Sequence, residues 1–586
     1  MQDRRYKTHD RLLFHARKLA LVSLALFFLI LQIGNAQEAG TCRCCELGRI
    51  YAPYLKKLPA PQLRNNIGNS HLKISTKSAK AQQWFDQGMN LLHAFWEFEA
   101  YRCFLQAAKE DPECAMAYWG ICMSLPGKNI EASEERKIAL QSAQELAEKA
   151  NEHEKLYIEM VRKLITSGTS SAILTLREII QKNPNDPDAV AFLALWLRQG
   201  YDSNGRAKST TKEALTLLQD ALKKHPKHTG LNHYLIHVLE QGPDFEQARA
   251  AAELLPMVAP GSGHLVHMPG HIYYLAGEYE KACSAFRSCH SVESTYLKSA
   301  GITAIDNNNY LHNLHYLVYA AADQGKYKEA LEAARSLSAT RIPEQREKSQ
   351  GAHQLHYLAS TCTALAHMRA GHYDLAAASL LPDAVPAGSG ASHYILFLRS
   401  YCALLHAIQQ LESPNRKTII RREKLALSRH LKSLEAAKPP PSPESQVWAQ
   451  ATTTGKILLS EARAWIDHAD REPGKFSTTW ANMAIREYDR SGYTEPPLLI
   501  TPVRESLGWL ALHSGYPAQA REYFQASLKV RRKSGHAYLG IARSYVSEKN
   551  SPLAAQFYQK FLTAFAMADD ELEEVAEAKK FIAENR

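Results

Sequence analysis

Small, apolar and proline positions recur along this chain at fixed offsets. Gly88, Ala100, Phe104, Ala107 and Pro112 are followed by three sets that keep the last four spacings: Ala172, Leu176, Ile179, Pro184; Ala214, Leu218, Ala221, Pro226; and Ala248, Ala252, Leu255, Pro260. Around these points apolar residues return every three or four positions, which predicts amphipathic helices. Each prolines ends a set where a helix must stop. The pattern therefore predicts pairs of helices, each pair too small to bury its own apolar stripes.

A unit of 34 residues with small residues where two helices cross, an aromatic or aliphatic filler and a closing proline is the tetratricopeptide repeat (TPR). In its numbering Gly88, Ala100, Phe104, Ala107 and Pro112 occupy positions 8, 20, 24, 27 and 32. Further copies carry Gly270, Gly277, Tyr279, Ala282 and Phe286, then Gly325, Tyr327 and Ala330, then Gly371, Tyr373 and Ala376. The signal fades after residue 380, and Pro439-Pro440-Pro441-Ser442-Pro443 reads as a stiff linker. Leu507-Gly508, Gly515, Ala520 and Phe524 restore the register, and Ala554, Tyr558 and Phe561 continue it. The expected fold is all-α: a TPR-like right-handed superhelix over 75–380, a helical connector and linker over 381–440, and a second helical block over 441–586. At 586 residues the chain exceeds what one compact core supports, in keeping with a modular array.

The same register places the histidines. With Ala248, Ala282 and Ala330 as position 20, His233 and His237 are positions 5 and 9 of one unit. His264, His267 and His271 are positions 2, 5 and 9 of the next, and His312 and His315 positions 2 and 5 of the third. Seven of nine slots are histidine, where the chain's average would supply less than one; the exceptions are Gly230 and Tyr319. Positions 2, 5 and 9 share one helix face, the face that lines the concave groove of a TPR array. Neutral imidazole is a common transition-metal ligand, and an i, i+4 pair can chelate one ion. His233, His237, His267, His271 and His315 are thus expected to converge on a metal. His264 and His312, one turn nearer the helix start, fall with Glu240 and Tyr319 to a second shell or a second site. Imidazole with one carboxylate suits Zn, Cu or Fe without choosing among them. His233-Tyr234-Leu235-Ile236-His237 lacks the Glu after the first His that zinc proteases use as base, and no nucleophile elbow, Walker loop or dinucleotide fingerprint accompanies it.

Composition adds the compartment. Arg4, Arg5, Lys7, Arg11, Arg17 and Lys18 precede the mostly apolar run 19–33 and Gly34-Asn35-Ala36, the layout of a signal peptide over 1–36, with an uncleaved anchor as the alternative. The chain is thus expected to be exported, periplasmic or extracellular, touching a membrane only through that segment. Over 37–74, Cys42, Cys44 and Cys45 cluster, and at least one is expected in a disulfide, with a thiolate metal site as the other reading. The remaining seven cysteines sit in helical patterns as small core residues. A net charge of +10 is small for this length and lacks a base-stacking platform, so no nucleic-acid partner is expected.

The chain resembles a large family of exported, mostly bacterial TPR proteins of little assigned function. The likeness lies in Asn232-His233-Tyr234-Leu235-Ile236-His237 with Glu240, Gly263-His264-Leu265-Val266-His267-Met268-Pro269-Gly270-His271-Ile272-Tyr273, and His312-Asn313-Leu314-His315. It continues in Tyr493-Thr494-Glu495-Pro496-Pro497, Pro502, Arg504, Leu507-Gly508 and Ala537-Tyr538-Leu539-Gly540-Ile541-Ala542. Where that family tends to carry Phe-Asn-His, this chain reads Phe95-Trp96-Glu97, leaving His93 or Glu97 to take that histidine's place. The resemblance supports fold and site and names no reaction. The leading expectation is a binding protein holding a metal ion and a peptide or small ligand in its groove. A metalloenzyme and a metal-free interaction scaffold are the alternatives.

Overall fold

The computed structural model describes residues 52–55, 57–125, 132–202, 204–385, 387–388, 390–410, 412–436, 445–470 and 478–585. The expected signal segment, Cys42, Cys44, Cys45 and the proline-rich linker lie outside these residues. Among the described residues the fold is all-α and TPR-like, with a second helical block toward the C-terminus and no strand. No described helix is long and apolar enough to cross a membrane.

The repeat pattern works through one contact. A Cβ on Gly88 or Gly120 would lie 2.6 or 2.2 Å from Phe104, so one phenyl ring wedges between position 8 of its own unit and the next. Phe524 does the same between Gly508 and Gly540, at 2.7 and 2.2 Å. Such distances require glycine, because any added methyl would displace a ring that is 0% exposed. Seven cysteines, from Cys103 to Cys402, are free and buried among these helices.

Seven helices position the candidate site: α1 (Ala79–His93), α2 (Glu97–Glu110), α3 (Thr229–Leu239), α4 (Gly263–Leu275), α5 (Tyr279–Ala300), α6 (Asn308–Asp323) and α7 (Gln350–Arg369). α3, α4 and α6 are first helices of successive units and lie side by side. The C-terminal block closes onto this array. Asp323, at the end of α6, accepts from Arg369 Nε at 2.8 Å and from Arg531 at 2.6 Å, and Arg369 also pairs with Glu505. All four side chains are buried. The residues before α1 run across the repeats: Arg64 donates to Gly261 O at 2.5 Å, and Ser70 Oγ to Asp188 at 2.7 Å.

Candidate metal centre

The histidines are buried inside the array instead of lining an open groove. His233, His267 and His271 are 0% exposed, His237 and His264 are buried, and His312 is half-buried. They form two clusters, His233/His237/His264 and His267/His271/His312, in each of which one nitrogen per ring lies within 4.8 Å of the others. One rule builds both: positions 5 and 9 of one first helix bring two rings together, and position 2 of the next first helix supplies the third ring.

This rule changes the expected ligand set. His264 and His312 belong to the clusters directly, and His315 does not. Positions 5 and 9 of α6 are His315 and Tyr319, whose rings meet at 5.1 Å and turn toward α7, where position 2 is Leu358. The third set therefore has one imidazole and no chelate. His315 sits instead in a small pocket with Tyr319, Tyr357 and Tyr394, its Nε2 without a partner, its pKa pushed down by burial to about 4.

Hydrogen bonds set the tautomers. His233 Nδ1 faces the carbonyl oxygen of His93 at 2.5 Å, and a carbonyl can only accept, so Nδ1 carries the proton. Glu240, capping the C-terminus of α3, takes His237 Nδ1 on Oε1 at 2.5 Å and His271 Nδ1 on Oε2 at 2.6 Å. His267 Nδ1 meets Asn313 Oδ1 at 2.7 Å, and that amide is oriented because its Nδ2 donates to Phe286 O at 3.0 Å. Four rings thereby hold a proton on Nδ1, which in a neutral ring leaves the lone pair on Nε2.

Those lone pairs point at one another. His233 Nε2 is 2.9 Å from His237 Nε2 and 3.0 Å from His264 Nε2; His267 and His271 Nε2 are 2.7 Å apart. In the His233/His237 and His267/His271 pairs, where both rings carry the proton on Nδ1, such a contact is repulsive unless a cation stands between them, whereas His264 Nδ1 has no partner and its Nε2 can donate to His233. A proton is disfavoured, since burial holds the pKa values of His233, His264, His267 and His312 well below the ordinary histidine value, and lowers that of His237. A metal ion fits with a small opening of the rings: two ligands about 2.0–2.1 Å from one ion subtend roughly 80–97° when 2.7–3.0 Å apart, against about 109° for a tetrahedral ion.

Glu240 joins the two clusters from outside, the imidazole–carboxylate support that orients metal ligands. Burial alone would push its pKa up, but His237 and His271 hold it well below the usual carboxylate range. Glu495, brought from the C-terminal block, lies 3.9 Å from Nδ1 of both histidines. Burial and the Glu240 charge push the pKa of Glu495 well above that range. Glu495 lies in one of the stretches that carry the family resemblance, but no periodicity ties it to residues some 250 positions earlier.

His93 does not supply a ligand to either cluster. Its ring is spent on Asp188, by Nε2 at 2.7 Å, and Tyr234, by Nδ1 at 3.1 Å, while its carbonyl orients His233. His228 comes within 3.3 Å of the same Asp188 oxygen and caps α3 by accepting from Leu231 N–H. Burial lowers the His93 pKa and would raise that of Asp188, which His228 and His93 hold far below its ordinary value. Both rings face the Asp188 carboxylate, His228 Nε2 without a hydrogen bond, and the three side chains form a separate group whose ligand atoms lie within 4.8 Å of one another. Glu97 points elsewhere, into a separate cavity.

Between that cavity and the first cluster stands Phe95. Its ring lies 4.7, 5.3 and 5.7 Å from those of His233, His237 and His264. Its φ of 53° is in the left-handed region that bulky residues avoid. Asn309 Nδ2 holds the turn by donating to Ala94 O at 2.9 Å and Phe95 O at 3.0 Å.

Residues 506–569 match the tetratricopeptide repeat family. No curated protein matches the chain. Among solved structures it is similar to the human IFIT1 dimer with m7Gppp-AAAA, at 11% identity and a TM-score of 0.32 over 90% of this chain and 95% of that one. It is also similar to a monomeric IFIT1 mutant with Gppp-AAAA, at 12% identity and a TM-score of 0.30 over 80% of this chain and 94% of that one. The repeat match falls where Phe524 wedges between Gly508 and Gly540.

Proposed function

We propose that this TPR protein is exported and binds two transition-metal ions, one at His233/His237/His264 and one at His267/His271/His312. The observation that carries the reading is the pairing of Nε2 lone pairs at 2.9 Å in His233/His237 and 2.7 Å in His267/His271, on rings whose Nδ1 protons are fixed by acceptors. Six imidazoles without an anionic ligand among them suit Zn, Cu or Fe. Glu240 supplies negative charge next to both ions, and ions at both clusters in turn compensate a buried carboxylate that neutral rings alone would leave costly. Three protein ligands leave each ion a free coordination position, the condition for binding a small molecule or activating water. The basic and then apolar residues over 4–33 support the export part of this reading.

Metal analysis of untagged protein equilibrated with Zn, Cu and Fe tests this. Two equivalents are expected, falling to one in the His233→Ala/His237→Ala double variant and to one in His267→Ala/His271→Ala. Failure to retain any of the three metals would overturn the reading and leave a metal-free interaction scaffold.

A further inference from the structure

The cavity beside Phe95, about 460 Å³, is large enough for a small organic ligand, and none of the six clustered histidines lines it. Trp96, Phe98, Trp196, Phe192 and Leu195 give it apolar, largely aromatic walls. Four charged side chains reach it. Asp306 and Arg346 neutralise each other at 2.9 Å. The other two, Glu97 and Arg136, form no ion pair, either together or with another described residue. Among the described residues Arg136 spends only Nε, donating to Cys122 O at 3.2 Å, and its terminal N–H groups meet none of their acceptors. A carboxylate and a guanidinium that form no ion pair with any described residue, on the wall of one aromatic cavity, match a ligand carrying both opposite charges.

We propose that this cavity binds a small zwitterion with an aromatic or aliphatic body, its carboxylate on Arg136 and its ammonium on Glu97. A free amino acid and a short peptide share this chemistry. The aromatic walls favour a ring in the body, by stacking and by the contact of the ammonium with π faces. Phe95 links the site to the first histidine cluster, because its ring both lines the cavity and touches all three imidazoles. The binding itself needs no metal.

Calorimetry on the full chain, metal-free and metal-loaded, tests the proposal with L-phenylalanine, the dipeptide Phe-Phe, phenethylamine and 3-phenylpropionate. At least one zwitterion is expected to bind at least tenfold tighter than both singly charged compounds; which of the two binds better identifies the source. Arg136→Gln should remove the advantage over the amine, and Glu97→Gln the advantage over the acid, with helicity unchanged. Equal binding of all four compounds, binding of none, or full zwitterion preference in both variants would overturn it. Because the metal-free protein is measured directly, loss of the metal reading leaves this result standing, and the reverse.

Discussion

A Cβ on Gly230 would stand 2.7 Å from Nδ1 of His93. Gly230 is position 2 of the first histidine-bearing unit, the slot that supplies the third ligand in the two units after it. Here the slot is emptied so that a buried imidazole from α1 can fit, and the carbonyl of that residue orients His233. Gly230→Ala should therefore overpack the site. About 1–3 kcal/mol of strain is expected, partly offset by about 1 kcal/mol of better helix propensity. Urea unfolding should show a small net loss, and metal titration should show weakening at the first cluster while the second is kept.

Glu240→Gln should weaken both clusters at once. A glutamine offers one acceptor oxygen, so one of the two Nδ1–H groups would meet an NH2 instead. Loss of such outer support costs about 10–100-fold in metal affinity. Competition with a chelator should show both sites shifted; a shift at neither would contradict the shared role of Glu240.

His312→Ala and His315→Ala separate the two readings of α6. The first should lower affinity at the second cluster and the other should leave two equivalents bound, since His315 faces the tyrosine pocket. Metal content of the two variants, measured side by side, decides it.

Glu461 gives a pH-dependent stability. It is buried, accepts from Tyr401 and Ser506 at 2.5 Å each, and burial pushes its pKa from 4.5 to about 7. Between those values the folded chain holds a proton that the unfolded chain has lost, so stability falls as pH rises from about 4.5 to 7. The loss is on the order of 3 kcal/mol by pH 8. Glu461→Gln should flatten this part of the profile, leaving stability at pH 5 similar and raising it at pH 8, as thermal melts across that range would show.

The buried charges at Asp323 hold the C-terminal block on the array. Removing one partner of a buried pair costs about 3–5 kcal/mol. Asp323→Ala would leave Arg531 without its carboxylate and deprive Arg369 of one of two. Protein cut between residues 436 and 445 should elute as one species in size-exclusion chromatography, whereas the cut Asp323→Ala protein should separate into two.

Repeat spacing alone determined the helix pairs, the register and the shared face of the histidines, because TPR packing is local: Phe104 meets Gly88 and Gly120 within two successive units. From that register all six rings of the two clusters were legible as candidates, together with Glu240. Only the tertiary structure decided how they divide. Whether position 2 of a helix joins its own positions 5 and 9 or those of the preceding helix depends on how the first helices rotate against one another, and periodicity does not contain that rotation. Hence His264 and His312 enter the clusters and His315 leaves. Asn313, the His93 carbonyl, Phe95 and Glu495 also came from the fold, since their contacts join residues from 46 to more than 200 positions apart. The protonated nitrogen of each ring is settled by what lies against it in space, and that contact turns a row of histidines into two sets of facing lone pairs.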